Sequence, residues 1–120
     1  MLDHITLHVA DFERGKRFFA AALAPLGYQI IMEFPGVAGL GVPGKPDFWI
    51  AAGEATRSLH VAFAAADRAT VDAFHRAAIA AGGRDNGAPG LRPQYHPNYY
   101  GAFVFDLDGN NVEAVCHQPA

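Results

Sequence analysis

From His4 to Val9 polar and apolar side chains alternate, so a strand is predicted with Ile5, Leu7 and Val9 on one face and His4, Thr6 and His8 on the other. Asp11 follows where a helix N-cap belongs, and Glu13 in the first turn complements the helix dipole. Phe12, Phe19, Leu23 and Leu26 are apolar positions of that helix, which Pro25 and Gly27 bring to an end. Three strand-like runs come next, Tyr28 to Phe34, Val37 to Val42 and Asp47 to Ala52. They are separated by Pro35-Gly36 and by Pro43-Gly44-Lys45-Pro46, both turn signals.

The pattern then starts again. Leu59 to Ala65 reads as a strand, Asp67 as a cap, and Val71, Phe74, Ala78 and Ile79 as a buried helical stripe that stops at Gly82-Gly83. Shifted by 56 residues, the chain lies on itself with His4 on His60, Asp11 on Asp67, Phe18 on Phe74 and Gly27 on Gly83. These matches fall in order and differ in chemistry, which a merely Ala-rich composition does not produce, so the sequence reads as a duplication. Gly82 to Pro97 is expected to be mostly loop, with one short strand at most. Tyr99 to Asp106 and Asn111 to His117 then form a hairpin around Asp106-Leu107-Asp108-Gly109-Asn110. The predicted fold is α+β: two βαβββ units, about 1–56 and 57–120, forming a curved mixed sheet around a cleft with the helices outside, all within one domain.

Composition narrows the function. The 120 residues are enough for one core. A formal charge of -3 lacks the basic footprint of a nucleic-acid binder. No apolar run approaches the roughly 20 residues of a membrane span. The single Cys116 offers no internal disulfide, and Leu2-Asp3-His4 does not resemble a secretion signal, so a cytoplasmic location is expected. Cys116 also falls on the opposite strand face from Glu113 and reads as core.

The duplication singles out a candidate metal site. His4 and His60 are repeat mates on the polar faces of their strands. Glu113 shares a face with Asn111, Val115 and His117 in an otherwise apolar strand. A buried carboxylate without a partner is costly, so Glu113 is expected to be paired, protonated, exposed or metal-bound. If both units face one cleft, His4, His60 and Glu113 make a three-ligand set that leaves open positions on Fe, Mn, Ni or Zn. By their facing, His8 and Trp49 are expected in the cleft wall. In the stretch Arg92-Pro93-Gln94-Tyr95-His96-Pro97-Asn98-Tyr99-Tyr100, either Tyr95, His96 and Tyr100 line the cleft and meet substrate, or the prolines stiffen a surface loop whose tyrosines cap the core.

These segments resemble the vicinal oxygen chelate superfamily, which includes glyoxalase I, bleomycin- and fosfomycin-resistance proteins and extradiol dioxygenases. The likeness rests on His4-Ile5-Thr6-Leu7-His8-Val9-Ala10-Asp11-Phe12, Leu59-His60-Val61-Ala62 and Asp106-Leu107-Asp108-Gly109-Asn110-Asn111-Val112-Glu113. It implies paired βαβββ units, a divalent metal held by His4, His60 and Glu113, and a small substrate chelating that metal through neighbouring oxygens. Lyase, isomerase, dioxygenase and thiol-transferase chemistry all fit, as does a metal-free drug- or metabolite-binding protein of the bleomycin-resistance type. Glyoxalase I-like members draw a further Glu ligand from the last strand of the first unit. Trp49 takes that place here, and a two-residue slip would offer Asp47. Members of this length also imply a homodimer.

Overall fold

The computed structural model describes residues 1–120 and divides their strands into two four-stranded mixed sheets, one per unit. Unit one contains β1 (Ile5–Val9), α1 (Phe12–Leu23, extended by a 3-10 turn over Ala24–Leu26), β2 (Gln29–Phe34), β3 (Val37–Val42) and β4 (Lys45–Ala52). Unit two contains β5 (His60–Ala64), α2 (Arg68–Ala80), β6 (Arg84–Leu91), β7 (Tyr100–Phe105) and β8 (Asn111–Cys116). The sheet orders are β1-β4-β3-β2 and β5-β8-β7-β6, and in each the first strand runs parallel to the last. Two units with the same unusual strand order express the internal repeat in three dimensions.

Both helices start as their caps dictate. Asp11 Oδ1 accepts from the Arg14 amide at 3.1 Å, and Asp67 Oδ1 accepts from both the amide and the hydroxyl of Thr70, at 2.8 and 2.7 Å. The Thr70 bonds hold Asp67 below its ordinary 3.8. Since the folded value is depressed, this cap contributes fully above that pH and is lost as pH falls through the lower folded value. A thermal-melting series in acid is expected to show part of its decline removed by Asp67→Asn, which keeps the acceptor without the titration.

Each helix covers one face of its own sheet. Leu7, Val9, Phe48 and Ile50 from unit one and Val104, Val112, Ala114 and Cys116 from unit two point into a shared core with Phe18, Phe19 and Phe74. Phe48 meets Phe63 edge-on at 5.3 Å between centroids, so the units bury apolar surface against each other as one body. The opposite sheet faces have no helix over them, and they carry the polar side chains of interest.

The stretch expected to be mostly loop contains the eight-residue strand β6. Its Gly-Ala-Pro-Gly composition hides it. As an edge strand β6 pairs only with β7, and register shifts between Asp85 and Gly87 and between Gly87 and Gly90 accommodate Pro89. No helix is long and apolar enough to cross a membrane.

Candidate metal and ligand site

The Asp106–Asn110 turn brings the second-unit residues together. Asp106 Oδ1 accepts from the amides of Asp108 and Asn110, and its Oδ2 accepts from Asn110 Nδ2 at 2.9 Å. Fully buried, Asn110 then reaches the chain entering β5: Oδ1 accepts from the Leu59 amide at 2.9 Å and Nδ2 donates to Thr56 O at 2.8 Å. This clamp fixes β5 beside β8 with His60 opposite Asn111 and Ala62 opposite Glu113.

On that register the His60 and Glu113 side chains emerge side by side from neighbouring strands. His60 Nε2 donates to Glu113 Oε1 at 2.8 Å, with the imidazole 53% exposed and the carboxylate 1% exposed. The Tyr99 hydroxyl donates to the other oxygen, Oε2, in a short hydrogen bond. Burial, and next the bond to Glu113, push the Tyr99 phenol above its usual range, so it remains a donor. Gly101 leaves room for this pair, because a β-carbon there would meet Tyr99 and Glu113 Oε2 at 3.2 and 3.3 Å. The buried carboxylate is therefore fully partnered. A separation of 2.8 Å also approximates the edge between two cis ligands, roughly 3 Å for bonds of about 2.1 Å. Histidine nitrogen beside carboxylate oxygen suits a divalent ion, so His60 and Glu113 fit as two of its ligands.

His4 is elsewhere. Its Nδ1 pairs with Asp3 at 2.7 Å, and it lines a separate cleft with Met32, Pro46 and Trp49. No cluster of three or more His, Cys, Asp or Glu side chains able to hold a metal exists within one chain. The repeat-mate histidines thus line two separate clefts, one per unit. Trp49 pairs with Thr6 and Gly39, as Glu113 pairs with Ala62 and Phe103. Thr6 and Ala62 are repeat mates, so Trp49 is the positional counterpart of Glu113. Its indole lies over Gly39, and its Nε1 donates to Pro46 O at 3.2 Å. Asp47, the slipped alternative, instead accepts from the Tyr28 hydroxyl at 2.7 Å.

The remaining expectations divide. Tyr95 and His96 line a cavity of about 360 Å³ with His60, Glu113 and Phe103. Tyr100 is placed on the opposite, helix-covered face, where its hydroxyl donates to Asp72 of α2 at 2.7 Å and raises its own pKa by doing so. Tyr99 and His117 take up the room in the cavity. Alternation was the available signal: Tyr99, Gly101 and Phe103 share the face of Glu113, whereas Tyr100, Ala102 and Val104 share the core face. His8 emerges from the exposed face of β1 and rests against Gly53, outside both clefts.

No family model and no curated protein matches the chain. Solved structures do. A glyoxalase/bleomycin resistance protein from Albidiferax ferrireducens T118 is 31% identical over 97% of both chains, with a TM-score of 0.83. A glyoxalase/bleomycin resistance protein/dioxygenase family enzyme from Burkholderia phytofirmans PsJN shares the fold at 20% identity over 98% of both chains, with a TM-score of 0.75. A glyoxalase I mutant from Zea mays superposes with a TM-score of 0.71 at 24% identity, across 95% of this chain and 46% of its own.

Proposed function

Because the chain belongs to the glyoxalase/bleomycin resistance protein family of the vicinal oxygen chelate superfamily, we propose that it is a metal-dependent small-molecule enzyme, with a divalent ion held by His60 and Glu113 of one copy and His4 of a second. The observation that carries this reading is the contact between His60 Nε2 and Glu113 Oε1 at 2.8 Å in a cleft lined by aromatic side chains. When bound, Fe, Mn, Ni or Zn supplies Lewis acidity to two neighbouring substrate oxygens. Tyr99 holds Glu113 Oε2 and so turns Oε1 toward His60. Trp49 gives the first-unit half-site a wall in place of a base, which disfavours an isomerisation needing a carboxylate there. Dioxygenase, lyase and thiol-transferase chemistry remain compatible with this set.

The second copy is supported by what the protomer leaves uncovered. Met32 and Phe34 on edge strand β2 are 47% and 55% exposed, they share the sheet face of Gly39 and Trp49, and Met32 borders the cleft of His4 and Trp49. An apolar row beside an incomplete ligand set is what a homodimer covers. One observation favours a second reading, a metal-free binder of drugs or metabolites. Glu113 already has both oxygens bonded within the chain, so its burial requires no ion.

Metal analysis of protein purified without tag or chelator separates the two readings. Near-stoichiometric metal, lost in His60→Ala, is the expected result. No metal in the wild type after equilibration with each ion would retire the enzyme reading and leave the aromatic cleft as a binding pocket.

A further inference from the structure

The cleft contains an imidazole pair that the proposed metal chemistry does not use. His96, from the connection between β6 and β7, places Nε2 at 2.8 Å from Nδ1 of His117, which follows β8. Two such nitrogens could in principle clasp an ion, but the backbone decides against it. The Asn98 amide donates to His96 Nδ1 at 3.1 Å, which places the proton of the neutral ring on Nε2. Nε2–H therefore donates to His117 Nδ1, and the His117 proton lies on its own Nε2. The chain of bonds runs in one direction, from a main-chain amide through two rings, and leaves a single N–H donor without a partner in the chain. Successive bonds of this kind polarise one another.

The surroundings define what that donor meets. Tyr99 packs against His96 and His117 at 5.5 and 5.4 Å between centroids, while Tyr95 lies 4.8 Å from Tyr99. Phe103 adds a further wall, with the Arg92 guanidinium over its ring at 5.3 Å. The cavity thus offers an acceptor the free N–H of His117 with the Arg92 cation nearby, while its single carboxylate, Glu113, already has both oxygens bonded within the chain. We infer that His117, aligned by His96 and the Asn98 amide, is a binding site for an anionic oxygen group, such as a carboxylate, on a planar small molecule held between the aromatic walls. The inference rests on the reading of this cleft as the ligand site, and the anionic group is distinct from any oxygens that meet the metal.

Benzoate is a suitable probe, with benzamide as its uncharged counterpart. The full-length protein is dialysed free of metal, so the ring and the carboxylate are tested without the ion. Each probe is titrated while the histidine ring C–H resonances are followed by NMR. Saturable shifts at His96 and His117 with benzoate are expected, with benzamide binding at least about tenfold more weakly. His117→Ala is expected to weaken benzoate about tenfold, and His117→Gln, which keeps an N–H donor, to recover most of the loss. Both substitutions lie at an exposed position after β8, and an unchanged amide spectrum elsewhere verifies the fold. Equal binding of benzamide, shifts confined to His60, or an unaltered affinity in His117→Ala would each overturn the inference. A protein that takes up metal and ignores benzoate refutes this site alone, whereas one that takes up no metal yet binds benzoate through His117 refutes the enzyme reading alone.

Discussion

Asn110→Ala is expected to lower unfolding free energy by about 3 kcal/mol or more and to loosen His60 from Glu113. The side chain is fully buried and makes three hydrogen bonds, to the Leu59 amide, Thr56 O and Asp106 Oδ2. Alanine fills none of these roles and leaves the Asp106 carboxylate, 6% exposed, without one of its donors. Each buried group left unpaired costs about 1–3 kcal/mol, a large part of a typical domain's 5–15 kcal/mol, so the loss should be plain in a urea titration. Asn110→Asp separates shape from chemistry. It can still accept from Leu59, but it cannot donate to Thr56 O and it sets a second carboxylate beside Asp106, so it should be at least as damaging as alanine. An aspartate variant as stable as the wild type would show that the clamp does not hold β5 to β8. The functional consequence is local: Leu59 precedes His60, and a loosened β5 entry should weaken metal uptake in whatever fraction remains folded.

Gly41→Ala should damage the other half-site. A β-carbon at Gly41 would sit inside the van der Waals envelope of the Lys45 carbonyl oxygen, and backbone cannot swing aside as a flexible side chain does. Gly41 pairs with Pro46 at an irregularity in the β3–β4 register. The strands must therefore separate around the Pro43-Gly44 turn into β4, whose first residues Lys45 and Pro46 line the cleft of His4 and Trp49. Overpacking ordinarily costs 1–3 kcal/mol, and a main-chain obstacle puts this substitution at about 3 kcal/mol. The predicted pattern is a large stability loss with the Trp49 fluorescence environment altered, because its Nε1 bond to Pro46 O depends on that turn. Unchanged stability and an unchanged tryptophan spectrum would contradict the packing assigned to Gly41.

Much of this architecture is legible in the residue pattern because both units use strong local signals. The Asp11 and Asp67 caps, the alternation from His4 to Val9 and the 56-residue offset each report a feature that acts within one element. Strand β6 escapes such reading because glycines and Pro89 carry no strand signal, and only its pairing with β7 at the sheet edge makes it extended. Strand phase decides the exchange of Tyr100 for Tyr99. Both are aromatic and adjacent, and the small Gly101 and Ala102 beside them blur which face is which until the pairing with β8 is known. The separation of His4 from His60 has a different origin. The repeat establishes that they are equivalent, but equivalence within a duplicated fold does not bring two positions into contact. That depends on how the units pack, here through Phe48, Phe63 and the helices, and no local pattern encodes it.

The central claim is a metal site divided between two copies, and complementation tests it most directly. His4→Ala lacks one half of the ligand set and His60→Ala the other, so each variant purified alone should be nearly free of metal. Co-expression in equal amounts should restore about a quarter of the wild-type metal content, since half the dimers are mixed and each mixed dimer assembles one complete site. Co-expressed protein as empty as its parents, or a His4→Ala variant that retains full metal by itself, would contradict a site shared between subunits.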